Sequence, residues 1–158
     1  MTWRGSASPA DRFFACLPYL LPLAEGVSFG FALFNQFPVL QYLILPLVPV
    51  LQLFQIPFAG LIIFFLLFFL VVRNEKINHF IRFNAMQAIL IDILLILANI
   101  IFQMVLRPTL GGGFILETLN NTVFLAMLVG CLYSIIQSIL GRYAEIPTIS
   151  DAVYMQVR

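Results

Sequence analysis

The sequence predicts an all-α integral membrane protein of four transmembrane helices. An interfacial or re-entrant segment separates the first two, and a short interfacial helix closes the C-terminus. Three observations predict this. From Gly26 to Val72 the chain runs 47 residues without a charge; as one helix that would be ~70 Å long, more than twice a hydrocarbon core of roughly 30 Å. Phe83 to Leu106 and Thr118 to Gly141 add 24 residues each, the first with one charge (Asp92) and the second with none. Composition is 62% hydrophobic and 9% charged with a mean hydropathy of +1.04, far from the roughly 25% charged residues of soluble domains. A soluble fold could not bury this much apolar surface.

The 158 residues suffice for one membrane domain and no separate soluble one. The net charge of +1 supplies no basic stripe to neutralise phosphates, which excludes a nucleic-acid partner. Cys16 and Cys131 both fall in apolar segments and read as small buried hydrophobes. Met1 to Arg12 is too short for a transit peptide and shows no cleavable signal pattern, so the first span is expected to direct its own insertion.

The first span, about 13–34, is opened by Ser8-Pro9-Ala10-Asp11, a helix start with Pro and an acid in the first turn. Pro18 and Pro22 are expected to bend it. Residues 36–55 carry Pro38, Pro46, Pro49 and four glutamines, and could form a fifth span or lie in the interface. The positive-inside rule decides. With two crossings before Arg73, one side collects Arg4, Arg12, Arg73, Lys76, Arg82, Arg142 and Arg158, leaving Arg107 opposite. A fifth span would divide the same charges three against five and erase the bias. Gln41, Gln52 and Gln55 also share one helical face, as a surface-lying segment requires. The remaining spans are then about 57–72, 83–106 and 118–141. Arg107 to Gly113 reads as a flexible hairpin. In the tail, 147–157, Thr148 or Ser150 can cap a short helix whose Val153, Tyr154 and Val157 would lie along the membrane surface.

Candidate site residues follow from polarity inside the spans. Asp92 is ten residues past Arg82, roughly 15 Å deep on a straight helix. An ionisable group there costs at least ~2.5–3.5 kcal/mol, so it should face a partner or water. Ala85, Ala88, Asn99 and Gln103 fall within about 40° of Asp92 on a helical wheel. This small-and-polar stripe is either an interhelical hydrogen-bond seam or the wall of a hydrated cavity or partner groove. Glu25, beside Gly26 and after two prolines, is either solvated at the interface or paired with the stripe. Ala126, Gly130, Ser134 and Ser138 recur every four residues, a small-residue ridge for helix packing. His79, the one histidine, is expected to be solvated or to face headgroups. No metal spacing, catalytic triad, nucleophile elbow or phosphate-cradling loop is present. The chain reads as a non-enzyme without catalytic residues, metal or cofactor.

Two stretches carry a resemblance. Val72-Arg-Asn-Glu-Lys-Ile-Asn-His-Phe-Ile-Arg82-Phe-Asn-Ala-Met-Gln-Ala-Ile-Leu-Ile-Asp92-Ile resembles the signature of the Tic-twenty family, the twenty-kilodalton subunit of the chloroplast inner-envelope protein translocon and its cyanobacterial and plastid-encoded relatives. The tail Ile146-Pro-Thr-Ile-Ser-Asp-Ala-Val-Tyr-Met-Gln-Val157 is similar to that family's C-terminus, as is Leu17-Pro-Tyr-Leu-Leu-Pro22 to its early span. The resemblance implies four membrane helices with both termini stromal or cytoplasmic, and a non-enzymatic subunit of a protein import complex whose partners are other membrane proteins and the bilayer. Plant members carry a long transit peptide, absent here. That departure points to a cyanobacterial member, in the plasma or thylakoid membrane, or a plastid-encoded one, in the inner envelope. Two alternatives remain open: a structural or assembly subunit of another membrane complex, such as a photosynthetic one, and a small-solute permease using Glu25 and Asp92.

Overall fold

A computed structural model describes residues 7–157; Arg4 and Arg158, two members of the predicted positive side, lie outside the described residues. Six helices follow one another: α1 Pro9–Gln36, α2 Pro38–Phe54, α3 Ala59–Val72, α4 His79–Leu110, α5 Phe114–Ile139 and α6 Ile149–Gln156. Among the described residues there is no strand.

Three of these, α1, α4 and α5, are each long and apolar enough to cross a membrane. Helices α2 and α3 reach that length only as a pair, with a 100° bend between them. The chain therefore has three to four candidate spans, and it is an all-α membrane protein. The bend sits at Phe58, which adopts a left-handed φ of 64°. Alone, the 14 residues of α3 extend about 21 Å, short of a hydrocarbon core.

Helix α1 starts where the sequence predicts. Ser8 Oγ accepts from Asp11 N–H, and Asp11 Oδ2 accepts from Ser8 N–H at 2.9 Å, a reciprocal capping box with Pro9 in the first turn. The proline pair is absorbed by a tight turn at Leu17–Tyr19 rather than by a break, so the helix runs on. Gly26 and Gly30 then let α1 cross α5 closely. A Cβ on Gly26 would collide with Met127 Cε, and one on Gly30 would lie 2.8 Å from the Phe124 ring.

Three details differ from the sequence reading. Arg107–Leu110 continues α4 as helix, so the hairpin loop shrinks to Gly111–Gly113. Thr109 Oγ1 helps by donating to the Val105 carbonyl at 2.6 Å. Neither proposed tail cap is made: Thr148 has no capping side-chain bond, and Ser150 is engaged elsewhere. Thr148 instead occupies a three-residue turn, with φ 70° and ψ −47° and Ile149 N–H donating to Pro147 O at 2.9 Å; this conformation is rare and strained. Finally, Val153 and Val157 do not lie along a membrane surface. Both are buried against Val72, Phe83, Met86 and Ile89, because Gly141, at φ 72°, turns the tail back onto the bundle.

The main core joins Tyr19, Leu23, Phe29 and Phe34 of α1 to Ala88, Ile91 and Leu95 of α4 and Phe124, Met127 and Cys131 of α5. Outside it Phe31, Leu70, Ile101, Val129 and Ile136 are largely exposed. So broad an apolar exterior fits lipid and not water.

At one end of the bundle the start of α1, the α3–α4 turn and the end of α5 are tied together. Asn78 Nδ2 donates to Asp11 Oδ2 at 3.0 Å, Arg12 Nη1 to the Ile139 carbonyl at 3.4 Å, and Arg82 Nε to the Val72 carbonyl at 2.9 Å. Arg107 lies at the far end of the 32-residue α4.

Candidate functional site

Helix α4 is the spine of the molecule. From Phe83 to Ile89 every side chain is buried, and Asn84 and Gln87 are wholly enclosed. Buried amides must find partners, and these two find them on three other elements. Tyr19 Oη of α1 donates to Asn84 Oδ1 at 2.9 Å and accepts from Gln87 Nε2 at 3.2 Å. Ser138 Oγ of α5 donates to the same Asn84 oxygen at 2.9 Å, and Gln87 Nε2 also donates to Ser134 Oγ at 3.0 Å. From the tail, Ser150 Oγ donates to Gln87 Oε1 at 3.1 Å and accepts from Ile146 N–H at 2.7 Å. One network thus fixes the register of α1, α4, α5 and the tail.

The tail has a second anchor. His79 Nε2 lies 3.4 Å from the Val157 carbonyl, which can only accept, and Nδ1 lies 3.0 Å from Tyr143 Oη. That pairing puts the proton on Nε2 and has Tyr143 donate to Nδ1. His79 is half-buried, not solvated as the sequence suggested. Tyr143 also packs edge-on to Phe80 and Phe83.

The predicted polar stripe divides. Asp92 is 3% exposed, and its Oδ1 is buried with no hydrogen-bond partner among the described residues. Ala85 and Ala88 are buried beside it, Asn99 is half-buried, and Gln103 is exposed. Gln103 accepts from Arg107 Nη1 at 3.1 Å and lines a separate cavity with Ser28, Glu117 and Asn120 at the Arg107 end. Glu25, half-buried on α1, joins Asp92 instead. The two carboxylates line one cavity of about 310 Å³, walled by Leu21, Phe54, Leu61, Phe64, Ile96 and Leu97. It lies where α1, the α2–α3 bend and α4 meet.

The small-residue ridge divides too. Ser134 and Ser138 are buried in the network, whereas Ala126 is exposed and a methyl group added at Gly130 would meet nothing within 4 Å. The close helix crossing is made by Gly26 and Gly30 of α1. Their four-residue spacing is the signal in the sequence that could have found it. Asn84 and Gln87 could likewise have been found, as two amides one turn apart in an otherwise apolar span.

Chemically, the cavity presents two carboxyl groups, which can hold a positive charge or a proton. Among the described residues no three of His, Cys, Asp and Glu cluster as metal ligands.

Comparison with known proteins gives concordant matches. The family described as "Chloroplast import apparatus Tic20-like" matches residues 9–153. A "Tic20 family protein" of Synechocystis sp. is 55% identical over 159 residues, covering 100% of this chain and 99% of its own. The chloroplastic protein TIC 20-v of Arabidopsis thaliana is 34% identical over 154 residues, covering 96% and 73%. The Tic20 family protein Ycf60 of Gracilaria tenuistipitata var. liui is 39% identical over 158 residues, covering 93% and 75%.

Proposed function

The chain belongs to the Tic20 family, and on that premise we propose that it is a non-enzymatic membrane subunit of a protein-translocation assembly. The observation that carries the proposal is the likeness along nearly the whole chain, residues 9–153, to a family described by its place in the chloroplast import apparatus. Both ends lie on the cytoplasmic or stromal side, by the seven-to-one charge count. Full-length similarity to a cyanobacterial protein favours the plasma or thylakoid membrane of a cyanobacterium over a plastid inner envelope. Its partners are other membrane proteins, docked by the lipid-facing surfaces of α1, α3 and α4.

A photo-reactive residue in place of Leu97, at the cavity, tests this in native membranes carrying a precursor arrested in transit. The proposal expects a cross-link to the precursor or to a subunit that itself cross-links to it. Cross-links confined to photosynthetic subunits would refute translocation and support the assembly role.

One observation favours a second reading, a small-solute permease: Glu25 and Asp92 share a cavity. An Asp92→Asn protein that assembles fully but has lost measurable solute uptake in vesicles would establish the permease. Assembly and function both surviving that substitution would exclude it.

A further inference from the structure

We propose that the cavity of Glu25 and Asp92 receives the arginine or lysine side chain of a partner's transmembrane helix. This rests on the translocation reading and names the chemistry by which a partner docks.

Four observations carry it. Asp92 is nine-tenths buried and more, and its Oδ1 has no partner among the described residues. An ionised carboxylate at this depth is costly, and such groups pair with a partner or face a water-filled cavity. Second, the arginines of α1 and α4 sit near the helix ends and bond elsewhere, Arg12 to Ile139, Arg82 to Val72 and Arg107 to Gln103, and the apolar stretches between them carry no cation, in this copy or a second one. No Lys or Arg occurs from Phe13 to Val72, from Phe83 to Leu106 or from Thr118 to Gly141.

Third, the shape favours a side chain over a bare ion. The polar lining consists of the two carboxylates, and the remaining wall is apolar: Leu21, Phe54, Leu61, Phe64, Ile96 and Leu97. A hard cation such as calcium asks for about six to eight oxygen ligands, more than two carboxylates hold. An aliphatic stem ending in a cation suits apolar walls with acids at the base, and about 310 Å³ is ample room for it. Fourth, three residues of the wall, Leu61, Ile96 and Leu97, are exposed on the outside of the bundle. A neighbouring helix can therefore reach it laterally.

The test reconstitutes the full chain in phosphatidylcholine vesicles with a fluorescent leucine-alanine helix of about 24 residues, long enough to span the bilayer. Its central residue is Arg in one peptide and Leu in the control, and association is read by energy transfer to a label on the chain's N-terminus. The Arg peptide should bind about tenfold tighter than the Leu peptide, within the range of membrane polar contacts. Asp92→Asn and Glu25→Gln should each remove most of that preference, while Asp151→Asn on the tail should keep it. Using both cavity variants guards against one that misfolds. Equal binding of the two peptides, or an undiminished preference in Asp92→Asn, overturns the proposal. So does sodium binding that Asp92→Asn abolishes while the Arg peptide stays inert, which would assign the cavity to an ion. Precursor cross-linking through Leu97 is read separately. If it persists while the peptide fails, only this inference falls; if both fail, the translocation reading falls with it.

Discussion

Replacing Gln87 by leucine should loosen the C-terminal tail far more than it disturbs the spans. Gln87 is enclosed and makes three side-chain hydrogen bonds, to Tyr19, Ser134 and Ser150. Interhelical hydrogen bonds in membranes average about 0.6 kcal/mol, so losing three amounts to about 2 kcal/mol. Two partners keep other bonds: Tyr19 still donates to Asn84, and Ser134 to the Gly130 carbonyl at 2.8 Å. Ser150 loses the acceptor that ties it to α4 and retains the tail's own Ile146 N–H and, at 3.4 Å, the Ala144 carbonyl. The penalty should therefore fall at about 1–2 kcal/mol, expressed mainly as release of residues 144–157. Asn84→Leu should be worse, because the buried Tyr19 O–H loses its acceptor and keeps only the bond it receives from Gln87, a loss of about 1–3 kcal/mol. Thermal unfolding in detergent gives the ordering, and proteolytic cleavage within residues 144–157 reports the tail. Unchanged cleavage of the tail in Gln87→Leu, or Asn84→Leu proving the milder variant, would refute the network as the tail's anchor.

Two glycines should respond in opposite senses. Gly30→Leu forces a side chain into the Phe124 ring and should destabilise by about 1–3 kcal/mol, whereas Gly130→Ala, with open space around it, should gain about 0.5–1 kcal/mol of helix propensity; melting curves of both variants decide. His79→Ala removes the contacts to Tyr143 and Val157 and should cost about 1 kcal/mol, seen as faster tryptic cleavage at Arg142 with the spans intact. Thr148→Gly relieves a strained turn and should raise stability by about 1 kcal/mol; a lowered melting temperature would contradict that turn geometry.

The membrane class and three of the helices were legible because uncharged runs of this length have one physical solution. The helix start at Ser8-Pro9-Ala10-Asp11 was legible for a local reason: the acid that completes the cap, Asp11, is three residues from Ser8. The tail was misjudged because its apolar face looks the same whether it meets lipid or protein. The positive φ at Gly141, the reach of Gln87 to Ser150 and the contact of His79 with Val157 bring it inside, and periodicity reports none of them. The Asp92 stripe was read from helical periodicity, which locates residues on one helix and says nothing of what the next helix brings. Periodicity therefore grouped Gln103 with Asp92, although the two line different cavities. The sequence offered Glu25 beside the stripe as one of two alternatives, and the packing of α1 against α4 puts both carboxylates in one cavity.

The translocation reading and the docking cavity both require Asp92 to lie within the bilayer, with Lys76 and Gly112 on opposite sides. The direct measurement places single cysteines at Lys76, Gly112 and Asp151, in a chain whose Cys16 and Cys131 are alanine. A membrane-impermeant thiol reagent is then applied to sealed native vesicles of known orientation. Lys76→Cys and Asp151→Cys should label together from the cytoplasmic or stromal face, and Gly112→Cys only from the other. Labelling of Gly112→Cys and Lys76→Cys from the same face would contradict the four-span arrangement and the depth assigned to the two acids.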